Sequence, residues 1–498
     1  MGEFSRVLGL PAEQTNGAAV PDAVDVLARA AGVVGADRVS HTTGLGPNVS
    51  RYRSRRVGGV VRPETVAQVR ELVRLFGSVP GAGLHAVSTG RNWGLGSREP
   101  TADDVVVLDL GDLAQVREVD LTGGWAVVEP GVTQGRLSQQ LEGTDRMVNV
   151  TVSAAETSIV GNLVDRGVGL RHQRTRDVLG LEVVLPDGEL ARFGWWPGTG
   201  RGAAPYPHGL GPSALGLFTQ SDLGVVTAAT IALPHRPEAL RVVRLDFRPD
   251  ALGDVVALLR RWTAQGLTRS VSRVFDPAAA RAYAGKPDLY TAHFCVDGMA
   301  SAVDALVEVV AGQARDSGLF TEVDHTAARA PRHPDHEVAT LVERGYAGDP
   351  DPSDRLFQAK MGHPADEIDQ RVGFLFFLPL LPFTPEAVEL ARTLTDRVRA
   401  TTGIPSASTL HLLDAEHIDC VVAMKFDRAD DAATRAAHRA LDLLYDLFAE
   451  HGFAPYRLDV DHAERVDDFR ADEAATAFTR RLKATVDPGT ALAHGRYR

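Results

Sequence analysis

A glycine-rich segment that directly follows an apolar stretch constrains the fold of this chain more than any other feature. After "LHAV" the sequence continues "STGRNWGLGSREP", with glycines at positions 90, 94 and 96 and almost no side chain suited to a hydrophobic core. Glycines let backbone N–H groups approach and converge on an anion, and Arg91 can assist. The spacing fits neither GxxxxGK[ST] nor GxGxxG, the two common phosphate-binding patterns. On composition alone a mobile surface turn is the simpler interpretation. Other segments of the sequence therefore have to decide between such a turn and an anion-binding loop.

Length and composition predict a globular protein that binds a small molecule. With 498 residues, 44% hydrophobic and 24% charged, the chain should form at least two domains. A net charge of −12 argues against a nucleic acid or an anionic membrane as partner, because either would need a basic face. Cys295 and Cys420 are the only cysteines, which gives no disulfide framework and predicts a cytoplasmic location. The N-terminus lacks a signal-peptide pattern, and the most apolar run, residues 372–383, is short and broken by proline, so we expect a core strand there rather than a membrane span.

The chain has two regions that differ in their sequence patterns. Residues up to about 234 contain many short β-branched runs, one helical segment that Pro63 opens and Gly77 ends, and a tight hairpin at "LPDGEL". Between about 240 and 450, amphipathic segments such as "PEAVELARTLTDRVRATTG" alternate with strands such as "VGFLFFLPLL", which predicts a sheet covered by helices on one face. We therefore expect an α+β fold with a first domain at residues 1–236, a second at 237–453, and a C-terminal segment, 454–498, that returns to the first.

Several segments, in the right order, resemble the flavoprotein family of vanillyl-alcohol oxidase and p-cresol methylhydroxylase. "STGRNWGLG" is similar to that family's "GRNxGYGG" diphosphate loop, "SIVGNLVDRGVG" to its "GN…RGVGY" segment, and "FTQSDLGVVTAATIALP" to its "SQSxxGIVT" strand. Near the C-terminus, "APYRLDV" and "VDPGTALAHGR" resemble its "YR" and "DPNGI…PGK" elements. The resemblance implies a two-domain flavoprotein, in which an FAD-binding domain is covered by a cap domain over the isoalloxazine.

By this resemblance the glycine-rich loop holds the diphosphate of FAD, and further segments line the rest of the cofactor. The cofactor-binding residues that the resemblance implies are Ser88, Thr89, Gly90, Arg91, Asn92, Trp93, Gly94, Leu95, Pro130, Gly131, Val132, Ser153, Ser158, Gly161, Asn162, Gly224, Val225, Arg457 and Arg496.

The sequence also departs from the family's pattern. Phe374 stands where vanillyl-alcohol oxidase has the histidine that links FAD covalently, and the loop contains neither cysteine nor histidine, so we predict noncovalent FAD. Leu95 and Leu170 replace the family's two phenolate-binding tyrosines. Ser153 replaces its aspartate near the flavin N5 and has no useful acid–base range near neutral pH.

Four residues are candidates for catalysis. Tyr456 and Arg457 match the family's Tyr–Arg pair; Arg457 either holds an anionic substrate group or stabilises the charge of reduced flavin, and Tyr456 either positions a substrate hydroxyl, relays a proton or packs on the flavin. Glu416 and His417, in "DAEHIDCVV", lie where the family has a pair of histidines, so either could be a base. Alternation along a strand would turn these two side chains to opposite faces, and for each one a solvated strand entrance is the alternative.

Together these observations predict an FAD-dependent oxidoreductase, an oxidase or a dehydrogenase, that takes a hydride from a small organic substrate to flavin N5 in specialised metabolism. One alternative is a 4-substituted phenol oxidase with an altered site, and another is a flavin-binding protein without redox turnover. No metal is expected, because "HPDHE" at residues 333–337 lacks the helical HExxH spacing. A homodimer is expected from the resemblance alone.

Overall fold

The computed structural model describes residues 23–79, 81–198, 203–326, 336–470 and 472–497. Its first sheet has four strands in the order β1-β2-β4-β3, of which β2, β4 and β3 run parallel. The strands are β1 Val39–Ser40, β2 Val57–Val61, β3 Leu84–Val87 and β4 Val105–Asp109. Two helices, α1 (Ala23–Val34) and α2 (Val66–Gly77), bury their apolar faces in the core of this sheet.

Helix α2 has the apolar stripe that its sequence predicts, but it begins at Val66 rather than at Pro63. The Thr65 hydroxyl accepts a hydrogen bond from the backbone N–H of Gln68 at 3.2 Å, and the Gln68 side chain accepts one from the Thr65 N–H. This capping box satisfies the first turn and therefore sets the helix start. The buried residues of the helix are Val69, Leu72, Val73 and Phe76.

The second sheet is antiparallel, with five strands in the order β5-β6-β9-β7-β8. The strands are β5 Val116–Asp120, β6 Trp125–Val128, β7 Val178–Val184, β8 Leu190–Gly194 and β9 Val225–Ala232, with helices α3 Gln134–Gln140 and α4 Ile159–Val164. The predicted hairpin joins β7 to β8, but its turn has three residues, because Leu185 donates its N–H to the Glu189 carbonyl at 2.8 Å. Gly188 takes the left-handed conformation in this turn (φ +77°).

The third sheet has eight antiparallel strands in the order β13-β10-β12-β11-β16-β17-β14, and β15 also pairs with β17. The strands are β10 Ala239–Phe247, β11 Ser272–Phe275, β12 Tyr290–Gly298, β13 Phe320–His325, β14 Gly373–Phe377, β15 Leu380–Pro382, β16 Ser406–Leu412 and β17 His417–Phe426. The helices are α5 Leu252–Ala264, α6 Pro277–Ala280, α7 Ala300–Ser317, α8 His336–Tyr346, α9 Asp351–Met361, α10 Ile368–Arg371, α11 Pro385–Thr402 and α12 Asp431–Glu450. Helices α5, α7, α11 and α12 cover one face of this sheet with a large apolar core, as the alternation of strands and helices predicts.

The other face of the eight-stranded sheet is polar along one row. Residues that are directly paired in antiparallel strands point to the same face. The pairing His293–Arg273–His411–Asp419 therefore places four polar side chains side by side across strands β12, β11, β16 and β17. We call this set the polar row.

The C-terminal segment lies against the first sheet. Helix α13 (Glu473–Val486) is followed by a bridge between Leu492 and Leu84 of β3, and Ala493 donates its N–H to the Leu84 carbonyl at 2.9 Å. The two-domain α+β fold is confirmed, while the boundaries at 236/237 and 453/454 stay predictions. No helix in the described ranges is long and apolar enough to cross a membrane.

Candidate active site

A cleft of about 300 Å³ opens at the carboxyl end of β3. It is bounded by the glycine-rich loop, by Pro130, by parts of residues 157–165 and 218–226, and by the C-terminal segment from Arg457 to Tyr497. Ligands of sheets with parallel strands commonly bind beyond the carboxyl ends of those strands. The cleft is therefore the principal candidate for a cofactor site.

The glycine-rich loop is packed between the third sheet and the C-terminal segment, which argues against a mobile surface turn. Gly94 has φ +81°, and a Cβ added to it would lie 2.5 Å from the ring of Phe376 in β14. Gly96 has φ +124°, and its Cβ would lie 2.7 Å from Val460. Positive φ and close approach together require glycine at both positions. Trp93 anchors the loop, because its indole N–H donates to Asp369 at 3.2 Å.

Most of the residues implied by the resemblance line the cleft. Those that do are Ser88, Thr89, Gly90, Arg91, Asn92, Leu95, Pro130, Ser158, Gly161, Asn162, Gly224, Val225, Arg457 and Arg496. The others, Trp93, Gly94, Gly131, Val132 and Ser153, lie outside its lining. Val132 belongs to the core of the second sheet, and a Cβ on Gly131 would meet the Gly111 carbonyl at 2.0 Å, so both serve packing. Ser153 accepts a hydrogen bond from the Thr157 hydroxyl at 3.0 Å.

Asp165 joins Arg457 to Arg496 at one end of the cleft. Arg496 lies 2.7 Å from the carboxylate, Arg457 donates to it through Nε at 3.1 Å, and the Tyr497 hydroxyl donates to it at 2.9 Å. Burial would raise the pKa of Asp165, but the two guanidinium groups outweigh it and hold that pKa below its usual range. Burial lowers the pKa of Arg457, but the Asp165 carboxylate outweighs this and raises it. Two arginines against one carboxylate leave a positive charge at this end of the cleft.

No local pattern could have identified Asp165, because its partners are 292 and 331 residues away along the chain. His85, in β3, is another lining residue of the cleft. Burial lowers its pKa to about 4, so its ring is neutral at physiological pH.

A buried acid–base group lies beside Tyr456. His411 Nδ1 is 2.9 Å from Asp419 Oδ2, and Asp419 Oδ1 is buried without a hydrogen-bond partner in the described part of the chain. Burial and the charge of Arg273 lower the pKa of His411. The hydrogen bond to Asp419 opposes this shift without reversing it. Burial and then the Asp419 charge raise the pKa of the Tyr456 hydroxyl well above its usual value. At neutral pH the imidazole is therefore neutral and the phenol protonated.

Glu416 and His417 do not face this group, so the structure does not bring either of these two candidate bases to it. The Glu416 carboxylate is exposed and pairs with Arg260 at 2.6 Å, and the exposed His417 pairs with Asp414 at 2.9 Å. Both lie at the outer end of β17, where the strand begins. Asp419, two residues further along, is fully buried and points into the polar row.

Arg273, within the polar row, and Lys360, beside it, add positive charge. Arg273 has 5% of its surface accessible and borders a small cavity that Leu170 also lines. The Lys360 ammonium lies 5.3 Å from the ring centre of Phe374 and 5.7 Å from that of Phe376. Burial, together with the charges of Lys425 and Arg273, lowers the pKa of Lys360 to about 8.

No site for a metal ion is found in the ranges that the structure describes. Residues 333–335 of the "HPDHE" segment lie outside these ranges.

Comparisons with known proteins agree with the fold and the cleft. A model of an FAD binding domain matches residues 57–194. The chain is 30% identical to 1'-carboxy-chondrochloren decarboxylase of Chondromyces crocatus, with 89% of this chain and 90% of that protein covered. It is 24% identical to the flavoprotein subunit of 4-cresol dehydrogenase of Pseudomonas putida, over 88% of this chain and 87% of that protein.

Two solved structures superpose over nearly the whole chain and show the same fold. p-Cresol methylhydroxylase with substrate bound has a TM-score of 0.85 at 20% identity and covers 97% of this chain and 98% of its own. 4-Ethylphenol oxidase of Gulosibacter chungangensis has a TM-score of 0.83 at 21% identity, with 96% and 97% covered.

Proposed function

Because this chain belongs to the vanillyl-alcohol oxidase and p-cresol methylhydroxylase family of FAD-dependent oxidoreductases, we propose that it oxidises a small organic substrate held between noncovalently bound FAD and the polar row. The observation that carries the proposal is the buried Asp419–His411 pair beside Tyr456. A neutral imidazole held by a carboxylate suits removal of a proton from a substrate.

Features of the cleft itself fit FAD. The backbone N–H groups of residues 88–92 line the cleft, and none of them donates to an acceptor within the described residues. Asn162 Oδ1 is buried there without a partner among the same residues. A Cβ on Gly161 would lie 2.4 Å from the Ser88 hydroxyl, so the backbone itself forms this wall. Consecutive free N–H groups suit a diphosphate, and an amide suits the polar edge of a ring.

The residues around the cleft have distinct proposed roles. When bound, FAD supplies the hydride acceptor. Arg457 and Arg496, which together exceed the charge of Asp165, would hold the cofactor's electron-rich edge and favour its reduction. With Nδ1–H donated to Asp419, His411 keeps Nε2 free to take a proton from a substrate O–H or N–H. The protonated Tyr456 donates a hydrogen bond that positions the substrate.

Noncovalent binding is supported by Phe374, which is fully buried and packs edge-on against Phe376 with ring centres 4.4 Å apart. A phenyl ring has no atom that can form the link made by a histidine.

The test is acid precipitation of the purified yellow protein. Flavin in the supernatant is expected, whereas flavin in the pellet would contradict the proposal. Reduction of the bound flavin by a substrate under anaerobic conditions would establish redox turnover, and a flavin that no substrate reduces would favour the non-redox alternative.

A second candidate reaction is oxidative decarboxylation, which the 30% identity to a decarboxylase favours. Such a substrate would lose a hydride from the carbon next to the one that bears the carboxylate, while the electron pair of the C–COO⁻ bond forms a C=C bond and CO₂ leaves. The test is release of ¹³CO₂ from a carboxyl-labelled substrate in step with flavin reduction.

A third candidate is oxidation of a 4-substituted phenol, which the retained Tyr456 and Arg457 favour. Against it, Leu95 and Leu170 are buried apolar residues that donate no hydrogen bond to a phenolate. Flavin reduction by 4-hydroxybenzyl alcohol would support this reaction, and complete inertness toward such phenols would exclude it.

The proposal also includes the organisation of the protein. Residues 1–236 and 454–498 form the FAD-binding unit, residues 237–453 form the cap, and the enzyme acts as a cytoplasmic homodimer in the biosynthesis of a specialised metabolite. Cys295 and Cys420 are unlinked and buried, which suits a reducing compartment. Light scattering of the purified protein measures the oligomeric state.

A further inference from the structure

Arg273 is a buried cation that pairs directly with no carboxylate among the described residues. It lies in the middle of the polar row, between His293 on β12 and His411 on β16. Within the described ranges it forms no salt bridge; its guanidinium hydrogen-bonds the Tyr283 side chain, and its Nε is buried without a hydrogen-bond partner. A buried charge without a paired counter-charge is strongly destabilising. An anion in the working complex would remove that cost.

The surroundings of Arg273 carry one excess positive charge. The charges that act on Lys360 and His411 are those of Arg273, Lys425, Asp276 and Asp419, so with Lys360 itself this region has three cations and two carboxylates. Asp276 is also occupied, because it caps α6 and accepts the N–H of Ser408 at 2.7 Å. His411 adds no fixed charge, because burial and the charge of Arg273 lower its pKa. A monoanion matches this balance.

We infer that Arg273 and Lys360 bind a carboxylate of the substrate. The inference rests on the proposed function, since it places the carboxylate in the cap, beside the polar row that faces the substrate. A guanidinium can hold both oxygens of a carboxylate, and a lysine adds a point charge. Leu170, which lines the cavity at Arg273, provides an apolar wall for the rest of the substrate.

The test compares acids with their neutral esters on the FAD-loaded enzyme. Phenylacetate, 3-phenylpropionate and 4-hydroxyphenylacetate, each with its methyl ester, serve as probes, and dissociation constants come from flavin absorbance and from calorimetry. We expect at least one acid to bind about 10-fold or more tightly than its ester. Arg273→Gln and Lys360→Met should each remove most of that preference, and Arg273→Lys should retain part of it.

Arg269→Gln is the matched control, because Arg269 is an exposed arginine near the start of β11; it should leave the preference intact. Equal binding of acids and esters, or failure of all three acids to bind, overturns the inference. An unchanged preference in both Arg273→Gln and Lys360→Met also overturns it. If Arg273→Gln does not fold, Lys360→Met and Arg273→Lys carry the test. Failure of the proposed function is a separate result, since the purified protein would then lack FAD or hold a flavin that no substrate reduces.

Discussion

At the scale of single residues, His462 shows how strongly tertiary contacts change an ionisable group. Its Nδ1 lies 2.8 Å from Asp459 and its Nε2 lies 3.0 Å from Asp442, and the ring stacks on Tyr445 with centres 4.1 Å apart. Burial lowers the pKa of His462, but the two carboxylates outweigh burial and raise it to about 9. The imidazolium therefore links α12, which carries Asp442 and Tyr445, to the C-terminal segment.

The pKa of His462 predicts a loss of stability in mild alkali. A pKa raised by folding contributes fully below the unfolded value near 6.5, and the contribution disappears as the pH rises through about 9. We expect this residue to contribute about 2 to 3 kcal/mol to the free energy of unfolding at pH 7. Urea unfolding of the wild type between pH 7 and 10 should show the loss, and His462→Asn should show little of it. His451→Asn, at an exposed histidine, should behave as the wild type.

Tyr456 gives a second prediction at this scale. Tyr456→Phe removes the hydroxyl that is proposed to position the substrate, so flavin reduction by substrate should slow about 10- to 100-fold while FAD content stays unchanged. Stopped-flow absorbance measures the rate, and Tyr206→Phe, at an exposed tyrosine, is the control. If neither Tyr456→Phe nor Arg457→Ala changes the rate, the assignment of this pair is wrong.

At the scale of elements, the glycine-rich loop connects the cofactor cleft to the cap. The carbonyl of Gly94 accepts hydrogen bonds from the Tyr52 hydroxyl at 3.2 Å and from the Phe376 N–H at 3.4 Å. One residue of the loop thus touches β14 while its neighbours line the cleft. A substitution at Gly94 should therefore weaken FAD binding, although Gly94 itself does not line the cleft.

Gly94→Ala tests this connection. The added Cβ would lie 2.5 Å from the Phe376 ring at a φ of +81°, so the loop has to move. We expect the affinity for FAD to fall about 10-fold or more, as measured by fluorescence titration of the apoprotein. Gly46→Ala is the matched control, because Gly46 has φ +83° with nothing within 4 Å of an added Cβ. Equal losses in both variants would mean that backbone strain alone is responsible.

At the scale of the whole molecule, one buried lysine attaches the C-terminal segment to the cofactor domain. Lys483 Nζ donates to Asp487 at 2.7 Å, to the Asp222 carbonyl at 2.8 Å and to the Leu492 carbonyl at 3.2 Å. Asp222 and Leu492 both line the cleft. We therefore expect folding of the chain end and formation of the proposed cofactor site to be coupled.

Lys483→Met should reduce both the stability of the fold and the binding of FAD. It leaves Asp487 as a buried carboxylate without its cation, so we expect the free energy of unfolding to fall by about 3 kcal/mol and the bound FAD to fall with it. Urea unfolding and the ratio of flavin to protein absorbance measure the two effects. Arg481→Met, on the exposed side of the same helix, should change neither. A destabilised variant with full FAD content would contradict the coupling.

The sequence by itself determined the family, the α+β fold, the cofactor and the apolar faces of helices such as α2, because these depend on motifs and periodicities that are local in the chain. It also placed most of the cleft lining, since one loop and a few turns supply those residues. Tertiary structure alone showed that Glu416 and His417 lie at the exposed start of β17, whereas Asp419, further along the strand, is buried beside His411. It alone brought Asp165 between two arginines about 300 residues away. Alternation along a strand separates two faces without saying which is buried, and charges pair according to distance in space rather than in sequence.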